Sequence, residues 1–199
     1  MENQKGENMN KMRRKMNIKD LSSKDPKVKY SCAKSLLDIA RDNPIELYPN
    51  FDYFAELLDS DNQILKWTAI DIIGHMSKVD GEKKVDKLMG KLFELLNTGK
   101  LITAAHAISA LTDIAVAKPE YQRKITEELL KVENYIYDTV ECRNIALGKV
   151  ILAISRYSEQ LEDKAVIEFL LRQTKNTRNA TKKKAEQFLK KLKSEKNSS

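Results

Sequence analysis

Few side chains in this sequence are of types that perform chemistry. His75 and His106 are the only histidines, and Cys32 and Cys142 the only cysteines. An imidazole beside a carboxylate can move protons, and His, Cys and carboxylate residues at short fixed spacings can hold a metal ion. Neither pattern is evident. The histidines fall in segments 31 residues apart and on different predicted helix faces, no HExxH occurs, and the cysteines are far apart. The phosphate loops GxGxxG and GxxxxGK[ST] and the nucleophile elbow GxSxG are missing too. The reading is a chain with no catalytic residue, no cofactor and no metal ligand. Two lone cysteines make neither a disulfide framework nor a zinc site, which points to a reducing, cytoplasmic compartment.

Recognition chemistry is better represented. Trp67 is the single tryptophan, and it stands in LKWTAIDIIGHM at 65–76, a stretch with helical periodicity. Placing Trp67 requires the elements around it. Gly and Pro number only 6 and 4, aromatics are sparse and a third of the residues are charged, a balance that favours an all-α chain. No run of 18 apolar residues occurs, and the N-terminal segment lacks an apolar signal core, so neither a membrane span nor a signal peptide is expected.

The helices carry an internal repeat. Cys32, Ala69, Ala107, Ala146 and Ala185 recur at spacings of 37, 38, 39 and 39 residues. Four positions on stand Leu36, Ile73, Leu111, Val150 and Leu189, and seven on stand Ile39, Met76, Ile114, Ala153 and Leu192. A small residue followed by apolar residues at +4 and +7 makes one helix face, and the small residue lets neighbouring helices approach. At −3 come Lys29, Lys66, Ala104, Arg143 and Lys182, basic in all but one.

Second helices are therefore expected near 27–41, 63–78, 101–116, 141–156 and 180–193. Amphipathic stretches near 46–59, 82–97, 121–136 and 160–173 precede the last four. Three of these end in a double Leu, with Tyr135-Ile136 in that place in the third. DSDN, NTGK, YDTVE and NTRN form turns within pairs; RDNP, KVDG, AKPE and the stretch at Ser158-Glu159 separate them. Met9, Met12, Met16 and Leu21 suggest an incomplete first helix.

LLDSDNQILKWTAIDIIGHM at 57–76 resembles the HEAT-repeat motif: double Leu, Asp turn, apolar-basic pair, Ala, aliphatic-Gly pair and a final apolar residue. DPKVKYSCAKSLLDIA at 25–40 is similar. The resemblance covers about residues 20–193 and implies an all-α, right-handed α-α superhelix of about five HEAT-like (armadillo-like) helix pairs, a single domain over 9–193. Residues 1–8, opening the basic N-terminal segment, and 194–199 are expected as disordered tails. The resemblance also implies that acidic turn residues and the basic residue at −3 tie successive repeats. In the third copy Gly99 and Ala104 replace both.

A helical wheel sets position −2 opposite the buried face, with +2, +5 and +9 beside it. In HEAT-like solenoids the second helices line the concave surface. Tyr30 and Trp67 would then stand on adjacent repeats facing the concavity, with Lys34, Arg41 and Asp71 around them and Ser109, Ala105, Thr112 and Gly148 as a floor. The bland alternative has Trp67 covering the edge between two repeats. The first reading predicts a non-catalytic protein-interaction scaffold that binds a peptide or partner helix of unknown identity. Nucleic acid is the less favoured partner. Similarity in length and fold class to HEAT-like alkylpurine DNA glycosylases supports it, and the phycobilin lyases share only the generic repeat. Residues 1–24 carry 7 basic and 3 acidic side chains and residues 172–199 carry 10 and 2, which leaves the body between them net acidic. That distribution lacks the broad basic stripe of a nucleic-acid binder. The basic helix TKKKAEQFLKKLK reads as a terminal cap with a polar outer face, the alternative being contact with an anionic surface.

Overall fold

The computed structural model describes residues 17–157 and 164–196, and these are all-helical. Five long helices correspond to the expected second helices: α1 (Pro26–Asp42), α3 (Gln63–Met76), α5 (Leu101–Ala117), α7 (Val140–Ser155) and α9 (Asn179–Lys196). Shorter ones alternate with them: α2 (Phe51–Leu57), α4 (Lys84–Glu94), α6 (Gln122–Leu130) and α8 (Lys164–Gln173). The long helices stack in chain order, α1 on α3, α3 on α5, α5 on α7 and α7 on α9. The short ones cover one side of that layer, which makes an all-α solenoid.

Local sequence explains where the long helices start. Asp25 accepts from the Lys27 amide ahead of Pro26 in α1, Asn62 accepts from the Ile64 and Leu65 amides, and Thr139 from the Cys142 amide. Gly99, at φ 73°, makes the left-handed turn before α5, and its carbonyl accepts from the Asp138 amide at 3.1 Å, joining the turns of two successive repeats. Lys83, also left-handed at φ 56°, precedes α4 and cannot cap it. Asp80 does so instead, taking the Lys84 and Val85 amides at 2.8 and 3.1 Å.

The repeat columns form the core. Ala69, Ala107, Ala146 and Ala185 are completely buried, as are Leu36, Ile73, Leu111 and Val150. Helices approach most closely where side chains vanish: a Cβ on Gly74 would sit 2.7 Å from the Ala110 Cα. Leu21 is buried in a 3₁₀ turn (Ile18–Ser22) rather than a full helix, while Met9, Met12 and Met16 lie outside the described residues. The segment at Ser158-Glu159 lies outside them as well. α9 continues to Lys196, past the expected boundary at 193.

Three local expectations fail for identifiable reasons. The 46–59 stretch is not one helix, because Pro44 and Pro49 break it into two 3₁₀ turns before α2. Ile136 does not continue the apolar face of its unit and is 85% exposed. α6 stops at Leu130 and Tyr135 is extended, so the 3.6-residue period lapses and Tyr137 turns inward, its hydroxyl donating to the Leu96 carbonyl at 2.9 Å. The inter-repeat ion pairs do not use the −3 lysines. Lys91 pairs with the turn residue Asp59, Lys100 with Asp138 at 2.9 Å and Arg178 with Glu141 at 2.8 Å. The third repeat is thus tied after all, through Lys100 of its own turn.

Candidate interaction groove

The side of the long-helix layer that the short helices leave uncovered carries two adjoining clefts. The larger, about 410 Å³, is lined from α1 by Leu37 and Arg41, from α3 by Asp71 and His75, from α5 by Ala105, His106, Ser109 and Asp113, and from α7 by Lys149. The smaller, about 170 Å³, continues along α5 and α7 past Thr112, Leu152 and Arg156. Ala105, Ser109 and Lys149 belong to both.

Two histidine–carboxylate contacts cross between α3 and α5. His106 Nδ1 lies 2.9 Å from the Asp71 carboxylate, and His75 Nδ1 lies 3.2 Å from Asp113 Oδ2. The second contact is a close approach without hydrogen-bond alignment, since His75 Nδ1 is otherwise unpartnered. Arg156 Nη1 donates to the other oxygen of Asp113 at 3.2 Å. Burial alone would raise the Asp113 carboxyl. The neighbouring His75, together with the charges of Arg156 and Lys78, outweighs it and holds the group below the ordinary carboxylate value.

Contrary to the different helix faces expected from the sequence, His75 and His106 line one groove. His106 sits at repeat position −1 and His75 at +6. Seven residues advance a helix by about 700°, within roughly 20° of two full turns, so the positions share a stripe. Stacking repeats in register then brings that stripe into one groove. The signal was available in the columns, but it required comparing two different repeats. Among the described residues no group of three or more His, Cys, Asp or Glu could hold a metal ion, and neither imidazole is hydrogen-bonded to a Ser, Thr or Cys.

Of the six residues singled out from sequence, Arg41, Asp71 and Ser109 line the groove. Arg41 is already engaged, donating to Asp38 at 2.8 Å and Asp42 at 3.2 Å. Tyr30 is 56% exposed and Lys34 is exposed, and neither lines a cleft. Trp67 is half-buried. Its indole N–H donates to Thr103 Oγ1 at 3.0 Å, and its ring stacks on His106 with centroids 5.6 Å apart and planes 12° from parallel. Trp67, Asp71, Thr103 and His106 therefore form one junction between α3 and α5.

A second polar cluster joins the segment before α2 to the C-terminal ends of α3 and α5. The Asp80 carboxylate, fully buried, receives Lys118 Nζ at 2.8 Å and the Tyr48 hydroxyl at 2.6 Å, besides the two α4 amides. Burial would raise its pKa, but these donors together hold it below the usual carboxylate value. Burial and the adjacent Asp80 push the Tyr48 hydroxyl up to about 12. With every oxygen satisfied, this cluster is structural.

No protein-family profile matches the sequence, and no curated protein is significantly similar to it. Solved structures do match. An engineered protein from the Northeast Structural Genomics Consortium superposes on 88% of this chain with a TM-score of 0.55 and 21% identity, the match spanning 46% of that protein. A designed armadillo repeat protein matches with a TM-score of 0.49 and 16% identity over 88% of this chain and 98% of that one. No helix among the described residues is long and apolar enough to cross a membrane. The repeat columns, the stacked long helices and the first of these superpositions agree on the fold: the described residues form an all-α helical-repeat solenoid.

Proposed function

We propose that this protein is a non-catalytic interaction scaffold in a reducing, cytoplasmic setting, and that the open groove of its long-helix layer takes a peptide or helix from a protein partner. The observation that carries this reading is the groove itself, assembled from four successive repeats with a small-residue floor at Ala105 and Ser109 and charged side chains at its edges. Such a surface offers close approach along its length and polar fixation at its sides. The His–Asp pairs favour binding over catalysis, because His106 spends a nitrogen on joining two helices, His75 packs against Asp113, and neither is hydrogen-bonded to a Ser, Thr or Cys among the described residues.

The test is a comparison of partners captured by the wild-type chain and by Ser109→Trp, which fills the groove floor from an exposed position. Partners lost selectively from the variant support the reading, provided its circular dichroism and thermal midpoint are unchanged. An identical capture profile counts against a role for the groove.

A further inference from the structure

Charge is distributed unevenly in the groove. Its two carboxylates lie deep, with Asp71 22% and Asp113 11% exposed, and each faces an imidazole. Its cations stand further out. The Arg156 side chain is 55% exposed, and Lys149 is exposed with no carboxylate within ion-pair distance among the described residues. On the next long helix, Lys184 Nζ lies 3.4 Å from the Gly148 carbonyl, beside Lys149. Burial first, and then the positive charges of Arg178 and Lys149, lower its pKa. The body of the chain is net acidic, yet Asp52, Asp86, Glu127, Glu128, Glu133 and Glu168 all belong to the covering short helices or their ends. On α7 and α9 the acidic Glu141 and Glu186 are paired with Arg178 and Lys182, so an approaching ligand meets net positive charge there, against the sign of the rest of the body.

We propose that the groove holds an extended, acidic segment of a partner protein, with the partner's carboxylates on Lys149, Lys184 and Arg156 and its backbone over Ala105 and Ser109. This rests on the peptide-binding reading of the same face. An extended chain suits the lining better than a helix, which would need a row of apolar sockets; the exposed apolar side chain here is Leu152, with Leu37 half-buried. Nucleic acid fits less well, since single strands are held by stacking on open aromatic faces. Trp67 has one ring face against His106, and Tyr30 lies outside the clefts. Long helices packed about 9–10 Å apart put α3 and α9 roughly 30 Å from one another. An extended segment of about nine residues covers that distance.

The experiment selects from a displayed library of random peptides, about 12 residues long, on the full chain at low salt. Selected peptides rich in Asp and Glu are expected, with binding weakened about tenfold or more by Lys149→Glu and by Ser109→Trp. Lys87→Glu, on an exposed position of covering helix α4, should change binding less than about twofold. Neutral or basic selected peptides that Ser109→Trp still blocks would overturn the acidic partner and leave the groove reading standing. Acidic peptides indifferent to both groove substitutions, or no enrichment at all, would overturn both. Tighter binding of single-stranded oligothymidylate than of acidic peptides of equal charge, abolished by Lys149→Glu, would replace the peptide by nucleic acid.

Discussion

Trp67 shows how one side chain joins two repeats. Its indole N–H is satisfied by Thr103 and one ring face by His106, so truncation removes a hydrogen bond, a stacked pair and part of an apolar contact. Trp67→Ala should cost about 2–3 kcal/mol, less than for a fully buried Trp, in urea unfolding. Trp67→Phe keeps a stacking ring and should cost about 1 kcal/mol, which Thr103→Val should match. Asp80 governs a different response. Its folded pKa is lowered, so its contribution is in place above the ordinary carboxylate value near pH ~4 and is lost as pH falls through the lower folded value. Asp80→Asn, which leaves the buried Lys118 only the more distant Asp86 at 3.7 Å, should cost about 3 kcal/mol at neutral pH and flatten the loss of stability on acidification. Unfolding midpoints between pH 7 and pH 2 measure both effects.

At the scale of the helix, two glycines make opposite predictions. Gly74 faces backbone on α5, where a methyl group has no room, and Gly74→Ala should destabilise by about 1–3 kcal/mol despite its better helix propensity. Gly90 in α4 has nothing within 4 Å, and Gly90→Ala should stabilise by roughly 0.5–1 kcal/mol. Thermal and urea denaturation of the two variants check the contrast. The long helices were legible because their small and apolar columns repeat every 37–39 residues, and their ends fall within about three residues of expectation. The Tyr48–Asp80–Lys118 cluster was not. Asp80 and Lys118 share one repeat position, with Asn43 and Tyr157 in the same column, so no common residue type marks it. Tyr48 stands elsewhere in its repeat, and KVDG reads in sequence only as a break. The groove was half legible: Arg41, Asp71 and Ser109 follow from wheel position, but Trp67 leans onto the next repeat, a choice that helical angle cannot express.

The whole array depends on its ends. α9 buries Ala185 and Phe188 against α7, and Thr181 donates to the Asn144 carbonyl at 2.7 Å, while its other face is lysine-rich. Truncation after residue 157 uncovers Leu147, Val150 and Ile154 along α7. It should lower the thermal midpoint and produce aggregation visible by light scattering, because a repeat array needs a polar terminal face. A monomeric truncation of unchanged midpoint would contradict the capping role of α9. The Asp80 cluster has a further consequence when the chain is placed under tension. Tyr48 precedes α2, Asp80 caps α4 and Lys118 follows α5, so their buried contacts act as a rivet between two successive helix pairs in the N-terminal half. The pairs beyond α5 are instead tied by ion pairs that each have one exposed partner. Drawn apart by its termini, the solenoid should peel from the C-terminal side in small steps, and the N-terminal half should then rupture in a single larger one.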